Sequence, residues 1–304
     1  LVAFIEYSRK FFMPLTDLAS KFSVLQTSNA SLERIFDILD QEDEPQGGRQ
    51  EVPGAGRVEF DNVSFAYLPG EAILKQVSFN LEPGQRTALV GETGSGKSTL
   101  TQLLLGFYAA DKGQVRINGV DVTSIDKAVL RRMVGWVSQE PFLFSGSVRA
   151  NLDPHGNLND AELLQAIEAT GTREVVERLG GLEGHLVEHG KNLSSGERQL
   201  LCLTRAQILN PPIMVLDEAT SHLDGDSEEL IYAGMRALAG GRTTLMIVHH
   251  LRLAAEADHI VVLHNGRVAE QGSHQQLLAA DGRYAHLWHI QQLEAQSKSK
   301  QGSG

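Results

Sequence analysis

The sequence predicts an α/β fold: a parallel sheet with helices on its faces, an antiparallel β subdomain in front of it, a helical insert within it, and one long helix preceding the whole. Three observations carry this. Short apolar runs at 87–90, 213–216, 244–248 and 259–263 alternate with helical stretches, as strands of a parallel sheet do. Upstream, Val58, Phe60, Val63, Phe65 and Tyr67 alternate with period two, broken once after Phe60, and 73–79 gives a second strand, so an antiparallel pair precedes the first buried strand. Residues 160–209 read as mainly helical, which divides the α/β core.

Taken in order, the chain opens on an apolar stripe of Leu15, Leu18, Phe22, Leu25, Leu32, Phe36 and Leu39 at spacings of three and four, with polar Asn29 filling the gap between Leu25 and Leu32. A long helix over 1–40 is expected, with Pro14 either kinking it or marking its start. Its stripe needs a partner to cover it. Residues 41–56, rich in Gly, Pro and acidic side chains, read as a linker, and a domain over 57–294 follows. Within that domain 114–120 is a hairpin on the Asn118-Gly119 turn, 133–138 another strand, and about 141–209 the helical subdomain. Asn265-Gly266 marks a further turn, Ser273 is expected to be an N-cap, and a helix carrying Tyr284, Leu287, Trp288 and Ile290 is expected. Residues 295–304, nearly all polar or glycine, are expected to be disordered.

Composition narrows the function classes. The 304 residues hold 27 Lys and Arg against 38 Asp and Glu, a formal charge of −11, which argues against a surface built to neutralise nucleic-acid phosphates. A single cysteine, Cys202, rules out an internal disulfide and suits a reduced compartment. No stretch reaches the roughly 20 apolar residues that cross a bilayer. Yet Leu1-Val-Ala-Phe-Ile5, followed by Glu6, Arg9 and Lys10, looks like the cytoplasmic end of a membrane helix.

The chemistry starts at Gly91-Glu-Thr-Gly-Ser-Gly-Lys-Ser-Thr99, a full match to G-x-x-x-x-G-K-[ST] placed between an apolar strand and a helical pattern over 100–107. Glycines let backbone N–H groups curl round an anion, and the following helix dipole adds partial positive charge. Gly91, Glu92, Thr93, Gly94, Ser95, Gly96, Lys97, Ser98 and Thr99 are therefore expected to cradle the phosphates of a nucleoside triphosphate, with Lys97 on the β- and γ-phosphates and the Ser98 hydroxyl on Mg²⁺. Downstream, Ile213-Met-Val-Leu-Asp-Glu-Ala-Thr220 ends an apolar strand in two carboxylates. Asp217 is expected in the Mg²⁺ shell, and Glu218 is placed to polarise the water that attacks the γ-phosphate.

With these two motifs, Leu193-Ser-Ser-Gly-Glu-Arg-Gln199 resembles the signature motif of the ATP-binding cassette family, and from about Arg57 onward the chain is similar to the nucleotide-binding domain of a membrane exporter in that family, a P-loop NTPase core. The resemblance implies ATP and Mg²⁺ as ligands. It implies further roles: Tyr67 stacking on adenine, Gln139 reaching Mg²⁺ and the attacking water, His249 holding water and Glu218 in line, and Asp224 of Ser221-His-Leu-Asp224 relaying between two domains. Leu193, Ser194, Ser195, Gly196 and Glu197 would contact ATP held by a second nucleotide-binding domain, so that two ATP molecules join two domains head to tail.

The usual signature reads Leu-Ser-Gly-Gly-Gln; here Ser195 stands for the first of the two glycines and Glu197 for the Gln, a replacement common in the family. A Cβ at Ser195 can crowd a backbone that must approach phosphate. Because Glu218 and His249 are kept while the signature is altered, the resemblance implies the catalytically competent half of a heterodimeric exporter, a homodimer being the alternative. Residues 1–40 then resemble the cytoplasmic extension of the last transmembrane helix of a half-transporter. Transmembrane domains are the other implied partners, and the cytoplasmic face of the cell membrane is the implied location.

Overall fold

A computed structural model describes residues 1–41, 44, 47–217, 225–248 and 250–301. They form two compact units, 1–46 and 47–304. The first is essentially one helix, α1 (Val2–Leu39), with no buried residue. Pro14 lies inside it, so it does not mark the start. One proline removes a single backbone donor, a loss that a helix of 38 residues can carry. Among the described residues no helix is long and apolar enough to cross a membrane.

The second unit begins with β1 (Val58–Ala66) and β2 (Ala72–Leu81), then β3 (Arg86–Gly91) and α2 (Lys97–Leu104). Next come β4 (Lys112–Ile117), β5 (Val120–Asp121), α3 (Lys127–Met133) and β6 (Val134–Val137). The helical region holds β7 (Gly146–Ser147), α4 (Val148–Leu152), α5 (Asp160–Ala169), α6 (Arg173–Leu179), β8 (His185–Leu186) and α7 (Ser195–Leu209). The core resumes with β9 (Ile213–Asp217), α8 (Gly225–Ala239), β10 (Thr243–Ile247), α9 (Leu251–Ala255), β11 (His259–His264) and β12 (Arg267–Gly272), and closes with α10 (His274–Ala279) and α11 (Arg283–Gln301).

Six strands make the central sheet in the order β12-β11-β3-β10-β9-β6. All its pairings are parallel except β11 with β12. A second, four-stranded sheet runs β2-β1-β4-β5 and is antiparallel throughout. The two-residue period of a strand explains the layering. Ala88 and Val90, Met214 and Leu216, Met246, Ile260 and Val262 face one core, shared with Leu163, Leu200, Leu203, Ile231 and Tyr284 from the helices. Their neighbours Leu89, Ile213, Val215, Leu245, Ile247, Val261 and Leu263 face the other, shared with Phe60, Leu74, Phe79 and with Leu100 and Leu103 of α2. The central sheet is thus buried on both faces, which is why its strands read as unbroken apolar runs.

One expectation needs correcting. The stretch read as a linker is built into the body from Gly47 on: Arg49 N–H donates to the Ser124 carbonyl at 2.8 Å, and the Asn118 side chain accepts from Gly56 N–H at 3.0 Å and Arg57 N–H at 2.9 Å. Ser273 caps the short α10 through a capping box with Gln276, and Tyr284, Leu287, Trp288 and Ile290 sit on α11. Gly282 stands just ahead of α11, and the turn before it, with Asp281 at φ 48°, is what separates the two. Residues 295–301 fall within the bounds of α11, and 302–304 lie outside the described residues.

Candidate functional site

Parallel register collects the site on one edge. Leu89 of β3 is level with Ile247 of β10, and Ile247 is level with Asp217 of β9. Val137 of β6 is level with Leu216. The carboxyl ends of β3, β9 and β6 therefore lead directly into the glycine-rich loop, Asp217 and Gln139. Ligands of open α/β sheets bind outside this edge.

The loop from Gly91 to Gly96 is constrained by what surrounds it. A Cβ on Gly91 would come within 2.5 Å of the Leu263 carbonyl oxygen and 2.7 Å of Ser95 Oγ. Gly96 caps α2 with φ 107°, in the left-handed region, and a Cβ there would lie 2.6 Å from Cδ2 of the fully buried Leu74. Helix α2 has no side-chain cap and no acidic residue in its first turn, so its N-terminal N–H groups have no carboxylate competing for them. Lys97 is buried, and its Nζ donates to the Gly91 carbonyl at 2.6 Å and the Glu92 carbonyl at 3.0 Å, folding the loop into a ring. Ser95 Oγ is buried with no hydrogen-bond partner. An enclosed glycine backbone, a buried cation and an orphaned hydroxyl at an open helix N-terminus fit an anionic phosphate chain.

Around the loop, Glu92, Thr93, Gly94 and Ser98 are exposed and Thr99 is buried. Tyr67 lies one residue beyond the end of β1 with its ring half-exposed. Its hydroxyl sits 3.2 Å from Thr99 Oγ1 and donates to Gln102 Oε1, and Phe65 and Tyr108 pack edge-on against the ring. Asp217 is half-buried and Gln139 exposed. Among the described residues no three His, Cys, Asp or Glu side chains cluster as a metal cage. Glu218, Asp224 and His249 lie outside the described residues.

The loop carrying Gln139 is tied to α7. Arg205 donates from Nε to the Asn151 carbonyl at 2.7 Å and from Nη1 to the Phe142 carbonyl at 3.1 Å. Asn151 in turn accepts from Phe144 N–H at 2.8 Å and donates to the Phe144 carbonyl at 2.9 Å. Leu143 between them is buried, whereas Phe142 and Phe144 are exposed and meet edge to face.

The signature residues begin α7. Leu193 is buried, Ser194 is the N-cap, Ser195 is exposed at the first helical position, Gly196 is buried and Glu197 half-buried. Ser194 Oγ accepts from Glu197 N–H at 3.2 Å, and Glu197 Oε2 accepts from Ser194 N–H at 2.8 Å, a capping box. The other carboxylate oxygen accepts from Arg178 Nη2 of α6. Partial burial pushes the Glu197 carboxyl up, but the Ser194 N–H and the Arg178 guanidinium outweigh it and hold the group below the usual carboxylate range. The Ser-x-x-Glu spacing at 194–197 signals the capping box in sequence. Arg178, Asn151 and Arg205 carry no such signal, since their partners come from other elements.

A family profile described as "ABC transporter" matches residues 74–221. A probable multidrug resistance ABC transporter ATP-binding/permease protein of Bacillus subtilis is 38% identical over 300 residues. A fatty acid ABC transporter ATP-binding/permease protein of Mycobacterium bovis is 40% identical over 290. These alignments take in 98% and 94% of this chain but only 45% and 46% of the relatives, so the chain spans about half their length. A solved structure of a bacterial Atm1-family ABC exporter with ATP bound superposes with a TM-score of 0.78 at 35% identity, covering 92% of this chain and 50% of that one.

Proposed function

The chain belongs to the ABC transporter family, and from that premise we propose that it is the ATP-hydrolysing motor of a membrane exporter, joined to transmembrane domains and working on the cytoplasmic face of the membrane. One observation carries the reading. A single sheet edge brings together the glycine loop with buried Lys97, the carboxylate Asp217 and the loop of Gln139, in register across β3, β10, β9 and β6.

In this reading Lys97 leaves its two loop carbonyls to meet the β- and γ-phosphates, trading neutral acceptors for charged ones. Ser98 and Asp217 hold Mg²⁺, which when bound neutralises charge on the phosphate oxygens. Tyr67 offers its exposed ring face to the adenine, its hydroxyl anchored by Thr99 and Gln102. Glu218 takes a proton from the attacking water, while Gln139 and His249 keep that water in line, a positioning task. Leu193 to Glu197 present the N-terminus of α7 to a γ-phosphate bound on a second nucleotide-binding domain, and Asp224 is assigned the relay between the two domains. ATP favours the closed pair because only there does it contact both faces, and hydrolysis removes that preference. Glu218→Gln in the full-length transporter should keep ATP binding and lose nearly all turnover. Near-normal turnover would remove Glu218 from its role.

The altered signature supports a finer proposal, in which the partner is a different subunit whose intact signature completes the ATP site of this chain. Ser195 adds a side chain at the exposed first position of α7, where the phosphate of the other domain would approach. Purification of the natural complex decides: one polypeptide species with two equally active sites overturns the heterodimer.

A further inference from the structure

The first turn of α7 holds a contradiction. If it receives phosphate from a second domain, its value lies in open N–H groups and partial positive charge. Yet its third residue is Glu197, an ionised carboxylate fixed beside those groups by the Ser194 N–H. A Gln at that position would close the same capping box without a charge. The carboxylate suits the lone helix but repels an incoming phosphate.

Arg178 resolves it. It stands in the last turn of α6, ahead of the left-handed Gly180 that ends the helix, and its Nη2 donates to the Glu197 oxygen that the capping box leaves over. Both carboxylate oxygens are then engaged, one by backbone and one by guanidinium. The neighbouring cation, Arg198, is turned away and donates to the Leu193 carbonyl at 2.8 Å. Lys191 is exposed. We propose that Arg178 is a positioning residue that cancels the charge of Glu197, so that the signature helix stays receptive to the triphosphate of the opposing domain. This inference rests on the head-to-tail reading above.

The test is a double-mutant cycle in the full-length transporter, reading the ATP concentration for half-maximal closure of the paired domains, and kcat. Arg178→Gln should raise that concentration about two- to fivefold, the size of one charge at a helix N-terminus, with little change in kcat. In a Glu197→Gln background the same substitution should change nothing further. Arg178→Lys, which keeps the charge, should lie closer to wild type than Arg178→Gln. The penalty should also shrink in high salt, as a charge effect does and a packing defect does not. A penalty that persists beside Glu197→Gln, or a Lys variant as poor as the Gln variant, overturns the inference, and so does an Arg178→Gln protein indistinguishable from wild type. A wild-type protein that neither closes nor turns over with ATP would instead defeat the motor reading itself.

Discussion

Two helices of this domain point their N-termini at the proposed nucleotide sites, and they are finished in opposite ways. Helix α2 begins at Gly96 with no side-chain cap and no acidic residue in its first turn. Helix α7 begins at Ser194 with a complete capping box and a carboxylate in its first turn. An α-helix starts with about four N–H groups lacking partners. In α2 they are left for a ligand, and Lys97 meanwhile satisfies itself on two loop carbonyls. In α7 the chain satisfies part of its own terminus. The first design is incomplete without an anion. The second closes on its own side chains and is complete without a ligand.

The largest effect that would separate the two comes from Gly96→Ala. The substitution forces an L-residue to φ 107° and drives its Cβ to 2.6 Å from buried Leu74 Cδ2. It should cost about 2–3 kcal/mol of stability and abolish ATP binding, because the loop backbone cannot hold its curl. Denaturant unfolding and equilibrium ATP binding check the two halves. ATP affinity within a few-fold of wild type would mean that α2 tolerates a capped, substituted start as α7 does.

Next in size is Ser194→Ala. Removing an N-cap hydroxyl costs about 1 kcal/mol, and here it also strips Glu197 N–H of its acceptor. The thermal midpoint should fall by a few degrees. Affinity of this chain's own loop for nucleotide should stay unchanged, since the lesion lies on α7 and not α2. A loss of that affinity would show that the two termini are coupled within one chain, through the Arg205 and Asn151 ties to the loop of Gln139.

How much of this was legible in the sequence follows the range of the interactions. The phosphate loop, the buried strands and the Asn-Gly turns are local: glycine at fixed spacing, four apolar residues in a row, and Asn118-Gly119 and Asn265-Gly266, where all four residues take positive φ. The insertion of β10 between β3 and β9 is not local, so the levelling of Leu89 with Asp217 had to come from the fold. Arg178 is 19 residues from Glu197 on a different helix, and nothing at 178 alone distinguishes it from a solvated surface arginine. Gln199 is the converse case. It reads as a polar residue of the signature helix, yet it is buried with neither side-chain polar atom hydrogen-bonded.

The finest test of the contrast is acid. Partial burial pushes the Glu197 carboxyl up, but Ser194 N–H and Arg178 outweigh it and hold the group below the usual carboxylate range. A group with a depressed folded value stabilises fully above its unfolded value and loses that contribution as pH falls through the folded one. Glu197→Gln keeps an oxygen to accept from Ser194 N–H, so wild type minus variant isolates the charge. The difference should be about 0.5–1 kcal/mol in favour of wild type at neutral pH. It should hold down to about pH 4.5 and then vanish with further acidification. Helix α2, with no acid in its first turn, provides no such limb. Denaturant midpoints of the two proteins across this range check it. A difference that stays constant with pH would mean that Glu197 acts through packing, and the charge compensation assigned to Arg178 would lose its basis.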